Sequence, residues 1–239
     1  MNTIDAQTSA PTPTRSHEIA GILRDEILRG QYREGERLPS ERDLAERFGT
    51  SRGAVREALS QIEQLRLISI QPGGARIKAV DEASISVLGP LLGLDKIPNA
   101  RLVDQFLDTF SALTRFTATR AIPLASEEQR LELLERLHEM EGQLSEAASL
   151  QTSMRGFFLL LGRIADNLVV RLISNDLQAQ FVERMLTVQS RPKSDSEALK
   201  KLITELQHGV EQGDGEAVAR ALDEHFLNIR SLVAQALAK

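Results

Sequence analysis

The sequence contains no cysteine. That excludes disulfides, thiolate metal sites and cysteine nucleophiles, and accords with a reducing cytoplasm. No apolar run approaches the ~18 residues that a membrane-spanning helix needs. The first fourteen residues, MNTIDAQTSAPTPT, have neither the charged start nor the apolar stretch of a secretory leader. Their polar composition and two prolines predict a disordered tail over 1–14. Also missing are a glycine-rich phosphate loop, a histidine–acid–nucleophile grouping and any regular metal-ligand spacing. Gly73-Gly74 alone does not make a phosphate cradle. These absences argue against an enzyme and against a membrane protein, and point to a soluble protein of the cytoplasm.

Positive charge is scarce overall, with 29 Lys and Arg against 34 Asp and Glu and a formal net charge of -5. The distribution is uneven. Residues 15–80 carry 12 cations and 10 anions, whereas residues 81–239 carry 17 and 23. Eleven of the twelve cations in 15–80 are arginine. Arginine forms bidentate contacts with phosphate and guanine, and nucleic-acid binding requires a local basic face rather than a basic chain.

The order of elements over 15–80 is legible from period and punctuation. Ile19, Ile22, Leu23 and Ile27 fall at helical spacing before Gly30. Ser40-Glu41-Arg42-Asp43 reads as a capping box, with Leu44, Ala45 and Phe48 as the buried side of a short helix that Gly49 ends. Thr50-Ser51 can cap the next helix, about Arg52 to Leu65, with Val55, Leu59 and Ile62 inward. The segments LISIQ and ARIKA, joined at Pro72-Gly73-Gly74, read as a hairpin with Leu67, Ile68, Ile70, Ile77 and Val80 as its apolar residues. Helix, helix, tight turn, helix and hairpin make a winged helix-turn-helix.

Residues 81–99 read as a linker with a short helix to about Leu92. The remainder, 100–239, is predicted all-α, with amphipathic runs near 101–121, 126–149, 152–172, 174–190, 195–212 and 214–238. Breaks are expected at Arg191-Pro192 and Asp214-Gly215, and Leu131, Leu134, Leu137 and Met140 are candidate core positions. The fold class is therefore mostly α, an N-terminal winged helix-turn-helix followed by a helical bundle.

Arg52 and Arg56 lie four residues apart and share one face of the third helix, opposite Val55, Leu59 and Ile62. Gly53 and Ala54 are small enough for close approach. The N-terminal end of such a helix meets base edges when it enters a major groove. Arg42 on the preceding helix can reach the same face. Ser51 and the helix N-terminus can donate to phosphate, and Gly73, Gly74 and Arg76 at the wing complete the candidate contacts.

The stretch GERLPSERDLAERFGTSRGAVREAL, with LISIQPGGARI after it, resembles the GntR family of bacterial regulators. The resemblance implies that Arg42, Arg52, Arg56 and Gly73 occupy DNA-contact positions, and that the protein binds short pseudo-palindromic operators as a homodimer. The helical 101–239 region resembles the effector domain of the FadR subfamily. Many of its members hold a divalent metal with one Asp and three His. Matching their helix signatures places Met154 and Phe158 where Asp and His are expected, and Ile203 at the next His. Only His225 is present, so the resemblance implies that no metal or cofactor binds. His208 is off register and His138 sits among charges.

The replacements are apolar. Phe106, Phe110, Met154, Phe157 and Phe158, with His225, are the candidate effector pocket, and Phe116, Leu159 and Leu160 add to the apolar character. The first bundle helix lacks the arginine that acid-sensing members carry near its start, and resembles the fatty-acyl-responsive members, which also lack the metal. An apolar or amphipathic acid-type effector, acyl among the options, follows. Arg115, Arg120, Arg155 and Arg163 are all available for its head group. The expected function is a ligand-responsive, sequence-specific repressor. Two alternatives stand beside it, a sensor of a small organic acid and a ligand-independent DNA-binding protein whose bundle only dimerises.

Overall fold

The computed structural model describes residues 14–95, 99–187 and 196–237, and the chain divides into two units between Leu94 and Asp95. Apart from Thr14, the predicted tail lies outside the described residues, as do Pro98 and the Arg191-Pro192 break.

In the first unit, α1 (Arg15–Leu28), α2 (Glu41–Arg47) and α3 (Arg52–Gln64) precede β1 (Ile68–Gln71) and β2 (Gly74–Ile77). The capping box forms as read. Ser40 Oγ accepts from the Asp43 N–H, and the Asp43 carboxylate accepts from the Ser40 N–H. Ser51 caps α3 by accepting from the Ala54 N–H at 3.2 Å. Each cap satisfies donors that a helix start leaves unpaired. Ile19, Leu23, Leu44, Val55, Ile62 and Leu67 are wholly buried and form one apolar cluster. The Arg47 guanidinium joins α2 to α1 through Glu26, also approaches the Tyr32 hydroxyl, and lies 4.8 Å from the Phe48 ring centre.

Two readings of this unit are corrected, and one contact is new. Ile22, Ile70 and Val80 are exposed. Ile70 lies two residues along β1 from Ile68 and so on the same face, opposite Ala75, but at the turn end of the ladder, beyond the reach of the small core. The hairpin also has a third partner. Leu38 N–H donates to Ala75 O at 3.0 Å and Ile77 N–H donates to Glu36 O at 2.9 Å, so the loop after α1 covers the open edge of β2. Finally, Gly74 is the first residue of β2 opposite Gln71, which leaves Pro72-Gly73 as the turn.

After two single-turn helices, α4 (Leu88–Leu92) closes the first unit. The second unit comprises α5 (Ala100–Leu124), α6 (Glu127–Gly142), α7 (Ala147–Ile164), α8 (Leu168–Thr187), α9 (Ser196–Gln212) and α10 (Gly215–Leu237). The boundaries expected at 149–152 and 172–174 lie earlier. Asp166 adopts a left-handed backbone (φ 48°), and the Asn167 side chain accepts from the Val170 N–H at 3.1 Å. An Asp-Asn pair of this kind stops one helix and caps the next. Within α6, Leu133, Leu137 and Met140 are buried, whereas Leu131 is exposed.

Packing in this unit runs as a ring: α5 against α10, α10 against α9, α9 against α6, α6 against α7, and α7 back against α5. Helix α8 lies over the α5–α7 seam. Gly215 lets the first turn of α10 pass the α5 backbone, because a Cβ there would stand 3.0 Å from Ala118 O and Thr119 Cα. Two arginines rivet the same pair. Arg230 donates to Asp104 at 2.7 Å and Asp108 at 2.8 Å, and Arg115 donates to Asp223 and Glu216, both at 2.7 Å.

Candidate nucleic-acid interface and effector cavity

The start of α3 is an open helical surface of the first unit. Ser51, Arg52, Gly53 and Arg56 are exposed there, while Val55, Ala58, Leu59 and Ile62 hold the opposite face in the core. A Cβ built on Gly53 would meet only Ser51 Oγ, at 3.7 Å. Internal packing therefore does not require glycine at this position. The Ser51 oxygen is engaged as the helix cap.

Arg56 is held in a two-point pair. Its Nε donates to Glu41 Oε1 at 3.1 Å and an Nη donates to Oε2 at 2.8 Å. This hydrogen bonding holds the Glu41 carboxyl below the usual range, with the charges of Arg56 and Arg52 adding to the effect. Glu41 thus fixes the direction of Arg56 from the neighbouring helix, a contact the sequence reading missed although capping placed both residues at helix starts. Arg42 is exposed beside Asp43.

At the wing, Gly73 has φ +107° and open space around it. Gly74, at φ +122°, differs: a Cβ there would lie 2.7 Å from Arg37 Nε. Its left-handed backbone is what favours glycine, and it begins β2 rather than forming the turn. Arg76 donates to the Gly35 carbonyl at 3.0 Å, which ties it to the covering loop.

In the helical unit a cavity of about 40 Å³ lies among α5, α7 and α8, with Phe110, Thr114, Phe158, Leu161, Val170 and Arg171 in its wall. Of the six candidate pocket residues, Phe110 and Phe158 line it; Phe106, Met154, Phe157 and His225 do not. Phe106 and Phe157 are buried behind the lining. Phe106 stacks on Phe110 at 5.9 Å, and Phe157 meets Phe158 edge-on at 5.9 Å. Phe226, which the sequence reading passed over, packs edge-on against Phe110 at 5.6 Å and carries the cluster to α10. Its signal was the four-residue step Val218, Leu222, Phe226 along the buried side of α10. Phe116 is exposed and outside this cluster.

His225 sits beside Phe226, ring centres 5.8 Å apart. Burial pushes its pKa down to about 4, so the imidazole is neutral near pH 7. The other three positions where related domains carry metal ligands do not fit a metal. Phe158 is in the aromatic cluster, Ile203 is buried in the core, and Met154 offers only a thioether. One imidazole and one thioether do not make the set of N and O donors that a divalent ion requires. His208 and His138 are exposed. Among the described residues no group of three or more His, Cys, Asp or Glu is gathered to hold an ion.

Comparison with known proteins accounts for both units. Residues 15–76 match the model of the bacterial regulatory proteins of the gntR family, and residues 105–228 match that of the FCD domain. The chain belongs to the GntR family. It is a transcriptional regulator with a DNA-binding helix-turn-helix and an FCD effector-binding domain. The regulator is 28% identical to the HTH-type transcriptional repressor NanR of Citrobacter rodentium, over 90% of this chain and 83% of that one. It is 25% identical to a fatty acid metabolism regulator protein of Haemophilus influenzae, over 82% and 80%. In fold it is similar to the Listeria monocytogenes protein Lar, with TM-score 0.59 and 19% identity over 95% and 99% of the two chains. The regulator's relatives are transcriptional regulators rather than enzymes, and no described helix is long and apolar enough to cross a membrane.

Proposed function

We propose that the regulator binds a pseudo-palindromic operator as a homodimer in the cytoplasm. The N-terminal end of α3 enters the major groove and the Pro72-Gly73 turn follows the adjacent backbone. The observation that carries this reading is the open face formed by Arg52, Gly53 and Arg56. Nothing inside the unit needs a glycine at 53, so its bare backbone serves an external partner. Arg42, exposed on α2, is assigned to phosphate, and the Arg76–Gly35 contact shapes the wing. Replacing Arg52 or Arg56 by Ala is expected to weaken operator binding about 5- to 150-fold. Wild-type affinity for specific DNA in both variants, measured by fluorescence anisotropy, overturns the assignment.

In the helical unit we place a metal-independent site for a small amphipathic acid, which alters DNA affinity by a coupling free energy on the order of 1–3 kcal/mol. Repression released by the effector is the default, in keeping with the repressor among the similar proteins. The fatty acid metabolism regulators among them favour an apolar acid. The cavity favours a short one. At about 40 Å³ it holds on the order of three water-sized groups, and a long acyl chain requires Phe110 and Phe158 to move apart. A thermal-shift panel of short and long acids tests this. Stabilisation by none of them favours a bundle that only dimerises.

A further inference from the structure

Helix α8 is inverted relative to a helix that only covers its own bundle. Val170, Arg171 and Ser174 are on the side that lines the cavity, and Leu177, one turn on, is buried. The opposite side carries Leu168, Val169, Leu172 and Ile173, which are 58%, 66%, 58% and 38% exposed. Residues at i, i+1, i+4 and i+5 form one continuous stripe on a helix. No charged side chain interrupts this one, since Arg171 belongs to the inner side. A surface helix of a globular unit turns its apolar stripe toward the core. Here a partly polar side faces inward and the apolar stripe faces out, so the stripe serves something outside the unit.

Its size and symmetry fit a second copy of the chain. The four side chains expose on the order of 400 Å² of apolar surface, within the range of patches that mark interaction sites on soluble proteins. Two such stripes face to face bury about 800 Å², about half of a standard interface of ~1,600 Å². An apolar centre with a polar rim is the usual make-up of such an interface. Asp166 and Asn175, exposed at either end of the stripe, supply that rim. A two-fold contact must also be self-complementary. The four positions are symmetric about the midpoint between Val170 and Arg171. An antiparallel pair of α8 helices therefore sets Leu168 against the partner's Ile173 and Val169 against the partner's Leu172. Among the described residues the first unit has no comparable stripe: its exposed large apolar residues, Ile22, Ile70, Val80 and Ile85, sit on separate elements.

We propose that the outer face of α8 is the surface through which two copies of the regulator associate, as an antiparallel helix pair about a two-fold axis. This rests on the reading of the regulator as a homodimer and adds the face that makes it. Because the inner side of α8 lines the cavity, a single helix separates that cavity from the partner.

Sedimentation equilibrium of the full-length regulator tests this. The wild type is expected to be dimeric at micromolar concentration. Val169→Glu and Leu172→Glu each place a carboxylate in the stripe twice per dimer, and are expected to weaken dimerisation about 100-fold or more. Their helical circular dichroism is expected to stay at the wild-type level, because both positions are exposed in the single chain. Leu131→Glu, on α6 and as exposed as Leu172, stays dimeric. The chain has no cysteine, so a mixture of Val169→Cys and Leu172→Cys protomers is expected to give a covalent dimer with a short bismaleimide, and Leu131→Cys in place of either is not. This second readout decides the matter if a glutamate variant fails to fold. Dimers of wild-type strength in both glutamate variants, or no crosslink between positions 169 and 172, overturn the assignment and leave the homodimer reading standing. A loss as large in Leu131→Glu also overturns it. A wild type that is monomeric at every concentration overturns this proposal and the homodimer reading together, and cosedimentation of that monomer with phosphatidylglycerol vesicles assigns the stripe to a lipid surface instead.

Discussion

His225 gives a prediction in which the sign is fixed by burial alone. The imidazole is held near pKa 4 in the folded protein, whereas an unfolded chain presents it near ~6.5. Between those values the unfolded state binds more protons, so stability rises with pH across the window. The contribution is fully present above the unfolded value and is lost as pH falls toward the folded one. The difference in proton binding amounts to about 2 kcal/mol at pH ~5, relative to neutral pH. The ring keeps some solvent contact, so that figure is a ceiling. The perturbation is His225→Gln, which removes the titration from a helix of good propensity. Amide exchange in α5 and α10 reads the helical unit alone, and unfolding free energies are compared from neutral pH to pH ~5. The variant is expected to keep up to about 2 kcal/mol more of its neutral-pH stability at the acid end. Other carboxylates titrate in both proteins and cancel in the difference. Parallel pH profiles for the two proteins refute the claim of a buried neutral imidazole. The same samples with zinc or nickel, and with chelator, are expected to show unchanged exchange. Metal-dependent protection in wild type that vanishes in the variant refutes the misfit of the ligand positions.

Other outcomes follow from single contacts. Glu41→Gln removes the acceptor pair that directs Arg56 and deletes a negative charge beside the start of α3, the proposed DNA-reading face. Affinity for scrambled DNA at low salt is expected to rise and the operator-to-scrambled ratio to fall; an unchanged ratio by anisotropy argues against a positioning role for Glu41. Gly215→Ala inserts a methyl against the α5 backbone at 3.0 Å and is expected to destabilise the helical unit by about 1–3 kcal/mol in urea unfolding. A neutral result there means that α10 shifts along α5 without strain.

Much of the first unit is legible because its signals are local. A cap such as Ser40 with Asp43, a glycine after a short helix, and two arginines four residues apart are set by geometry within one or two turns, so sequence alone determines them. The burial of Ile70 was misread because alternation gives a strand's faces but not where a small core ends. Gly74 was grouped with the turn, whereas the ladder pairs it with Gln71, a matter of register that composition does not reveal. The Glu41–Arg56 pair is likewise beyond local signals: each residue was placed on its helix correctly, and only the angle between α2 and α3 brings them together.

The helical unit divides in the same way. The sequence by itself determined that it is α-helical and that phenylalanines gather along α5 and α7. Those properties follow from residue type and helical period. Tertiary structure decided which phenylalanines meet and which are spent on packing, because Phe110 and Phe158 line a cavity while Phe106 and Phe157 support them from behind. It also decided among the arginines. A guanidinium is available to a ligand only when no carboxylate or carbonyl of the fold reaches it first, and that depends on neighbours more than a hundred residues apart, as Arg115 and Asp223 are.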